Sequence, residues 1–74
     1  MKITIKLYGV LRMNRFKEET REYPEGTTVK GVIEDLAFPG KLLGAVVVND
    51  VHANVEQVLG DGDCLMILPL LDGG

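Results

Sequence analysis

The sequence has few of the features that mark a disulfide-linked module, a metal cluster or a membrane anchor. It has one cysteine, Cys64, which excludes an internal disulfide and a cysteine-ligated cluster. No apolar run approaches the roughly 18 residues of a membrane helix. The first residues alternate in polarity and do not form the apolar core of a signal peptide. We therefore expect a soluble cytoplasmic protein without membrane contact.

Basic residues are missing from the second half of the chain. Residues 42–74 contain five acids and no lysine or arginine, whereas six of the eight basic residues lie in the first 21 positions. Nucleic acids are bound through clustered positive charge, so we expect no nucleic-acid partner. The acidic half suits a basic protein partner, and solvated surface charge explains it equally well. Arg12 and Arg15 are candidates for a small basic loop that contacts a partner or a phosphate, with solvation as the alternative.

Residue combinations typical of catalysis or metal binding are also absent from the sequence. His52 is the only histidine and is interpreted as a surface residue near a turn. Asp61 and Asp63 lack the spacing of a calcium loop, and turn formation explains both. No GxxxxGK[ST] phosphate loop is present. The sequence thus predicts no metal site and no bound cofactor.

What is present indicates one small domain that is rich in apolar residues. The chain has 74 residues, of which 46% are apolar. A domain of this size buries only about 60% of its unfolded surface, so an apolar patch is expected to stay on the surface as a partner site. Residues 2–8 alternate between apolar and polar and predict a half-buried strand, with Ile3, Ile5 and Leu7 on one face. Further strands are predicted at 16–23, 45–48, 51–55 and 64–68.

Residues 28–37 predict the main helix. Thr28 is a suitable N-cap, and Pro39 follows the predicted end. The apolar residues on one helical stripe are Val29, Val32, Ile33, Leu36 and Ala37. The order of elements predicts an α+β roll, in which a mixed sheet of four to five strands is crossed by one main helix. The first and last strands are expected side by side in the middle.

The last predicted strand is apolar on both faces, which is typical of a central strand. We predict that Leu65 and Ile67 face the core and that Met66 and Leu68 form an exposed apolar patch, because methionine suits adaptable binding surfaces. Two alternatives remain open: both faces are packed, or the alternation is inverted. Cys64 is interpreted as a small buried hydrophobe.

The sequence ends at Gly73-Gly74, shortly after this apolar strand. A terminal Gly-Gly offers an unshielded carboxylate on a segment thin enough to enter a narrow pocket, although a frayed end is the alternative. Pro69 cannot continue a central ladder and is expected to end the strand. The predicted division is a domain at 1–69 and a flexible tail at 70–74. The extended tail reaches about 17 Å at roughly 3.3 Å per residue.

These features resemble the β-grasp, or ubiquitin-like, fold and, in the ending, the MoaD/ThiS family of small sulfur carriers. Members include the small subunit of molybdopterin synthase and the thiamine-pathway sulfur carrier. The resemblance rests on the first strand 3–7, the helix start Thr28-Val29, the strand and turn at 46–49, the Asp61-Gly62-Asp63 turn, and Leu68-Pro69 before Gly73-Gly74. The sequence departs from the molybdopterin branch at Leu70-Leu71-Asp72, where a second proline and a small residue are common.

The resemblance implies that the protein is a co-substrate and not an enzyme. A separate ATP-dependent adenylating and sulfur-transfer enzyme attaches AMP to the carboxylate of Gly74, and sulfur then replaces AMP to give a thiocarboxylate. The thiocarboxylate donates sulfur in molybdopterin synthesis, with a larger synthase subunit as second partner, or in thiamine or cysteine synthesis. The expected site residues are Gly73 and Gly74, with Met66, Leu68, Pro69, Leu70, Leu71 and Asp72 contacting partners. Two alternatives are a ubiquitin-like modifier joined to lysines and a plain interaction domain.

Overall fold

The computed structural model describes residues 1–37 and 39–70. Within them, a five-stranded mixed sheet in the order β2-β1-β5-β3-β4 packs one face against helix α1. The elements are β1 (Lys2–Leu7), a first 3₁₀ turn (Gly9–Arg12), β2 (Glu18–Glu22), α1 (Val29–Leu36), a second 3₁₀ turn (Gly40–Leu42), β3 (Leu43–Val48), β4 (Val51–Ala53) and β5 (Cys64–Pro69). The predicted roll of one mixed sheet and one main helix is confirmed.

Strands β1 and β5 are parallel neighbours at the centre of the sheet, as the sequence predicts. Their register places Ile5 beside Leu65 and Leu7 beside Ile67, and all four side chains are fully buried. The alternation in β1 therefore turns its apolar residues toward α1 and its polar residues away. Antiparallel pairings add β2 to β1, β3 to β5, and β4 to β3.

Helix α1 begins where its N-cap predicts. The Thr28 hydroxyl accepts a hydrogen bond from the Gly31 N–H at 3.2 Å. The N–H groups of Val29 and Lys30 donate to backbone carbonyls of the loop after β4, at 3.0 and 2.8 Å. These three bonds satisfy donors that the first turn of a helix leaves without partners.

The inclusion of Ala37 in the buried stripe is wrong. The helix ends at Leu36, and Ala37 is an exposed C-cap with a left-handed φ of 57°. A left-handed residue redirects the chain after the last helical turn, so its side chain leaves the apolar stripe. The other four predicted members, Val29, Val32, Ile33 and Leu36, are buried.

Strand boundaries differ from the predictions where tertiary contacts extend or interrupt a strand. β2 covers 18–22 and not 16–23, and β4 ends at Ala53 because the following loop turns to cap α1. β3 begins two residues early, at Leu43, because it pairs with the end of β5 across an irregularity between Leu43 and Ala45. β5 itself extends one residue further than predicted, to Pro69.

Candidate functional site

The sheet face opposite α1 carries an apolar surface built from the neighbouring strands β3 and β5. The register places Val47 beside Met66 and Ala45 beside Leu68. We call these four residues the outer patch. Each is half-buried, because its neighbours on the adjacent strands cover part of it. The outer patch is therefore a partly exposed apolar surface at the centre of this face.

The alternation predicted for the last strand is confirmed on its inner side. Leu65 and Ile67 are fully buried against the core, so Met66 and Leu68 lie on the outer face. Their half-burial is less exposure than the sequence indicates, because β5 is flanked on both sides by other strands. The prediction that they contact a partner remains a prediction. Cys64 is half-buried on the outer side of the same strand.

Strand β5 ends, where the predicted tail begins, at a point held by backbone contacts. Pro69 is paired with Leu43, and the Leu70 N–H donates to the Leu42 carbonyl at 2.7 Å. A proline is tolerated at a strand end beside an irregular pairing, so β5 includes Pro69. The predicted strand end, at residue 68, is therefore one residue early. The Leu70 side chain is 61% exposed. The other predicted tail residues, Leu71, Asp72, Gly73 and Gly74, lie outside the described residues.

Two glycines that sequence reasoning missed surround this exit point. A Cβ added at Gly44 would lie 2.7 Å from the Leu70 nitrogen and closer still to the Pro69 carbonyl. Gly9 has a φ of 58°, and a Cβ there would lie 3.0 Å from Cγ of Pro69. A glycine inside a strand marks close approach of another backbone, but the predicted strand begins at residue 45 and leaves Gly44 outside it. Both glycines allow the chain at Pro69 and Leu70 to lie close against its neighbours.

The Asp-Gly-Asp turn has a structural role at the other end of β5. The Asp63 carboxylate accepts hydrogen bonds from the Gly60 N–H at 2.7 Å and from Nδ2 of Asn49 at 2.8 Å. Oδ1 of Asn49 accepts from the Cys64 N–H at 2.9 Å. These bonds fix the start of β5 against the end of β3, which explains why an acid is needed in this turn.

No described residues form a recognisable metal site. Over residues 1–37 and 39–70, no group of three or more histidine, cysteine, aspartate or glutamate side chains is placed to hold an ion. His52 is exposed on the edge strand β4, as expected for a surface residue. In the same ranges, no helix is long and apolar enough to span a membrane.

A polar network joins β2 to α1 at one edge of the core. Arg21 donates to the carboxylates of Glu19 and Asp35, and the Tyr23 hydroxyl donates to Oδ2 of Asp35 at 2.9 Å. Burial and the hydrogen bond to Asp35 raise the pKa of Tyr23 to about 12. The hydrogen bond with Glu19 is the main cause that raises the pKa of Arg21. This network stabilises the fold on the side away from the outer patch.

Comparison with known proteins identifies the family to which this chain is similar. The model of the ThiS family matches residues 5–74, whereas no curated protein matches the sequence significantly. Putative molybdopterin converting factor subunit 1 from Pyrococcus furiosus is 24% identical, with 96% of this chain and 99% of that chain covered and a TM-score of 0.80.

Two further solved structures share the fold at lower identity. SAMP1 from Haloferax volcanii is 19% identical, with both chains covered completely and a TM-score of 0.79. A chain in the complex of subunits 1 and 2 of molybdopterin-converting factor from Helicobacter pylori is also 19% identical and completely covered, with a TM-score of 0.67. The family match covers nearly the whole chain, and the solved structures share the fold of this chain. The chain therefore belongs to the ThiS family, among the ubiquitin-like sulfur carriers and modifiers, and has the β-grasp fold.

Proposed function

We propose that this protein carries sulfur as a thiocarboxylate on Gly74. The observation that supports this most directly is the family match, which continues through the tail to residue 74. The fold adds a physical reason, since β5 runs through the centre of the sheet and ends at Pro69, next to the predicted tail. A rigid body that presents a thin glycine end fits a co-substrate that enters the active site of another protein.

The chemistry requires an activating enzyme. A carboxylate is a poor electrophile, so one oxygen of Gly74 attacks the α-phosphate of ATP, pyrophosphate leaves, and an acyl adenylate forms. Hydrosulfide supplied by the sulfur donor then attacks the acyl carbon, the carbon–oxygen bond to AMP breaks, AMP leaves, and the new carbon–sulfur bond gives the thiocarboxylate on Gly74. ATP is a substrate of the partner, and the chain needs no resident cofactor. Gly73 and Gly74 keep side-chain bulk away from the reacting carbon.

The remaining site residues have docking roles in this proposal. The outer patch, through Met66 and Leu68, binds the partner surface. Pro69 and Leu70 hold the start of the tail, and Leu71 and Asp72 lie along the entrance to the partner's active site. The roles of Met66 and Leu68 are supported by their position on the apolar outer face of β5, and those of the other residues by their order in the chain between β5 and Gly74.

Molybdopterin synthesis is the pathway we favour for the sulfur. One structurally similar chain is subunit 1 of a molybdopterin-converting factor solved in complex with its subunit 2. We therefore propose a larger synthase subunit as the acceptor partner, in a cytoplasmic pathway. Thiamine or cysteine synthesis are the alternatives, because Leu70-Leu71-Asp72 departs from the tail typical of the molybdopterin branch.

A second candidate function is conjugation to lysines of other proteins. Its support is the structural similarity to SAMP1, which is named as a small archaeal modifier protein. Both candidates begin with adenylation of Gly74 and differ in what attacks the acyl carbon. A plain interaction domain, the third reading, requires no activation at all.

Adenylation is tested by incubating the purified chain with the adenylating enzyme of its host and radiolabelled pyrophosphate. We expect ATP–pyrophosphate exchange that depends on the chain, and none from a variant lacking Gly73 and Gly74. Undiminished exchange with the truncated variant would overturn the proposed role of Gly74. Parallel reactions with sulfide and with proteins that offer lysines distinguish the two candidates. A carrier forms a thiocarboxylate, whereas a modifier forms an isopeptide bond to lysine.

A further inference from the structure

A second surface feature lies near the base of the tail and has no role in the function proposed above. It is an open cavity of about 130 Å³ bounded by the end of β1, the first 3₁₀ turn and the start of β2. A cavity of this size accommodates a carboxylate or a similar small group. Its lining residues are Lys6, Leu7, Tyr8, Arg12, Lys17 and Glu18.

The residues that line the cavity carry a net positive charge, although the net charge of the protein is negative. Three cations and one acid line the cavity, which gives three minus one, or two positive charges, in a chain of net charge −3. Nζ of Lys6 lies 4.0 Å from Oε1 of Glu18. Over residues 1–37 and 39–70, neither Arg12 nor Lys17 has an acidic side chain within ion-pair distance. Two cations are therefore available to an anion from outside.

Arg12 is held in place before any ligand arrives. Its Nε donates to the Leu7 carbonyl at 2.7 Å, and its guanidinium lies 5.4 Å from the centroid of the Tyr8 ring. Within the described residues, its terminal nitrogens make no further hydrogen bond. A guanidinium with free terminal N–H groups matches the geometry of a carboxylate, and pre-ordering reduces the entropy lost on binding.

The surroundings favour a protein ligand over a free small anion. Val10 and Met13, two residues before and one residue after Arg12 in the chain, are 47% and 67% exposed. Exposed apolar residues beside a charged pocket are typical of protein interfaces. Lys6 is also paired with Met66, so the cavity is continuous with the outer patch. One partner surface can cover both.

We propose that this cavity, the basic socket, receives an aspartate or glutamate side chain of the adenylating enzyme. The inference rests on the proposed function and adds a second, electrostatic contact to the apolar one. Gly9, in the turn that carries Arg12, lies against Pro69, so the socket sits beside the exit of the tail. An ion pair there fixes the rotation of the carrier on its partner and thereby the direction in which the tail enters.

The test uses Lys17, which is exposed and whose side chain has no ion pair within the described ranges. Lys17→Gln and Lys17→Glu are compared with Lys30→Glu, which makes the same charge change on an exposed position of α1. KM and kcat of the host adenylating enzyme are measured by pyrophosphate exchange, with the full-length chain as varied substrate. We expect KM to rise about tenfold or more for Lys17→Glu, with Lys17→Gln intermediate and kcat little changed. Lys30→Glu is expected to stay within about twofold of wild type.

Ionic strength provides a second readout, because added salt should raise KM more for the wild type than for Lys17→Glu. Equal KM values for Lys17→Glu and Lys30→Glu would overturn the socket and leave the proposed function standing. Competitive inhibition by inorganic phosphate, lost in Lys17→Glu while its KM stays normal, would assign the cavity to a small anion and overturn the protein ligand. If the wild type supports no exchange, the proposed function fails and the socket fails with it.

Discussion

The residues of the outer patch that lie on β5 differ from the neighbouring core residues only in the face of the strand on which they lie. Met66 follows the fully buried Leu65 and precedes the fully buried Ile67, yet it remains half-exposed on the sheet surface. Its position is central, with Lys6 beside it on β1 and Val47 on β3. A side chain at the centre of an interface contributes more binding energy than one at its edge.

Met66→Asp should therefore weaken partner binding without unfolding the domain. The new carboxylate stays at a half-exposed position, but it would be desolvated against an apolar partner surface. We expect KM for adenylation to rise about tenfold or more, measured by pyrophosphate exchange. Val58→Asp is the matched control, since Val58 is 59% exposed and lies beside the helix N-terminus. Similar KM values for both variants would exclude the outer patch as a docking surface.

Tyr23 makes stability depend on pH at the alkaline end. The pKa of Tyr23 is raised from 10.0 to about 12, so the folded state holds the phenolic proton more tightly than the unfolded chain. Its contribution is complete below pH 10 and is lost as the pH rises through about 12. After discounting for solvent screening, we expect about 1 kcal/mol of stability to depend on this proton.

Tyr23→Phe tests this directly. Denaturant unfolding of both proteins is measured at pH 8 and in steps to pH 12, and the difference between them isolates Tyr23 because the other groups titrate in both. The variant should be less stable near neutrality, where the bond to Asp35 is lost, and the gap should narrow as the pH rises. A gap that stays constant across this range would contradict the assignment.

At the level of elements, the pairing of β3 with the end of β5 fixes the chain where the predicted tail begins. Leu43 is opposite Pro69, and the Leu70 N–H is bonded to Leu42. This arrangement requires close approach at Gly44, where any side chain would meet the backbone of Pro69 and Leu70. Gly44 thus connects the geometry of β3 with the position of the chain at Pro69 and Leu70.

Gly44→Ala should loosen this junction. The added methyl group would force the two backbones apart, and we expect a loss of about 1–3 kcal/mol in the free energy of unfolding. Gly40→Ala is the matched control, because a Cβ at Gly40 has nothing within 4 Å. Chemical denaturation measures the free energy of unfolding of both variants. A Gly44→Ala protein as stable as Gly40→Ala would show that the approach at the junction is not tight.

The elements show which parts of the fold are predictable from the sequence. Thr28 and the stripe that begins at Val29 identify α1 because capping and helical periodicity are local signals. Alternation identifies β1 and the buried side of β5 for the same reason. Ala37 and Pro69 were misplaced because a left-handed cap and an irregular strand pairing depend on contacts between distant segments. The basic socket was not predicted from the sequence, because its residues come from three segments that only the fold brings together: β1, the first 3₁₀ turn and the start of β2.

At the level of the whole molecule, some features protect or stabilise the fold, and others are surfaces proposed to bind partners. The edge strand β2 has the sequence EETRE, and such charge discourages pairing with another sheet edge. The outer patch and the basic socket lie near the end of β5, whereas the Arg21–Tyr23–Asp35 network joins β2 to α1 at the opposite layer. The body thus fixes the chain at Pro69 and Leu70, where the predicted tail begins, while the proposed chemistry happens in another protein.

One residue added after Gly74 tests whether the reacting group is the end of this chain. The extension moves the carboxylate beyond the glycine pair, so we expect adenylation to be lost while the thermal unfolding midpoint stays unchanged. Pyrophosphate exchange and a melting curve on the same sample measure both. Normal exchange by an extended chain whose mass shows that it has not been trimmed would contradict the mechanism.

The most direct test of the carrier role is the intact mass of the protein purified from its own host. The thiocarboxylate predicts a gain equal to the exchange of one oxygen for sulfur, located at Gly74 by fragmentation and lost on hydrolysis. Gly74 found joined to lysines, with no sulfur-containing form, would contradict the carrier and support the modifier. An unmodified mass in cells that contain the active adenylating enzyme would contradict both.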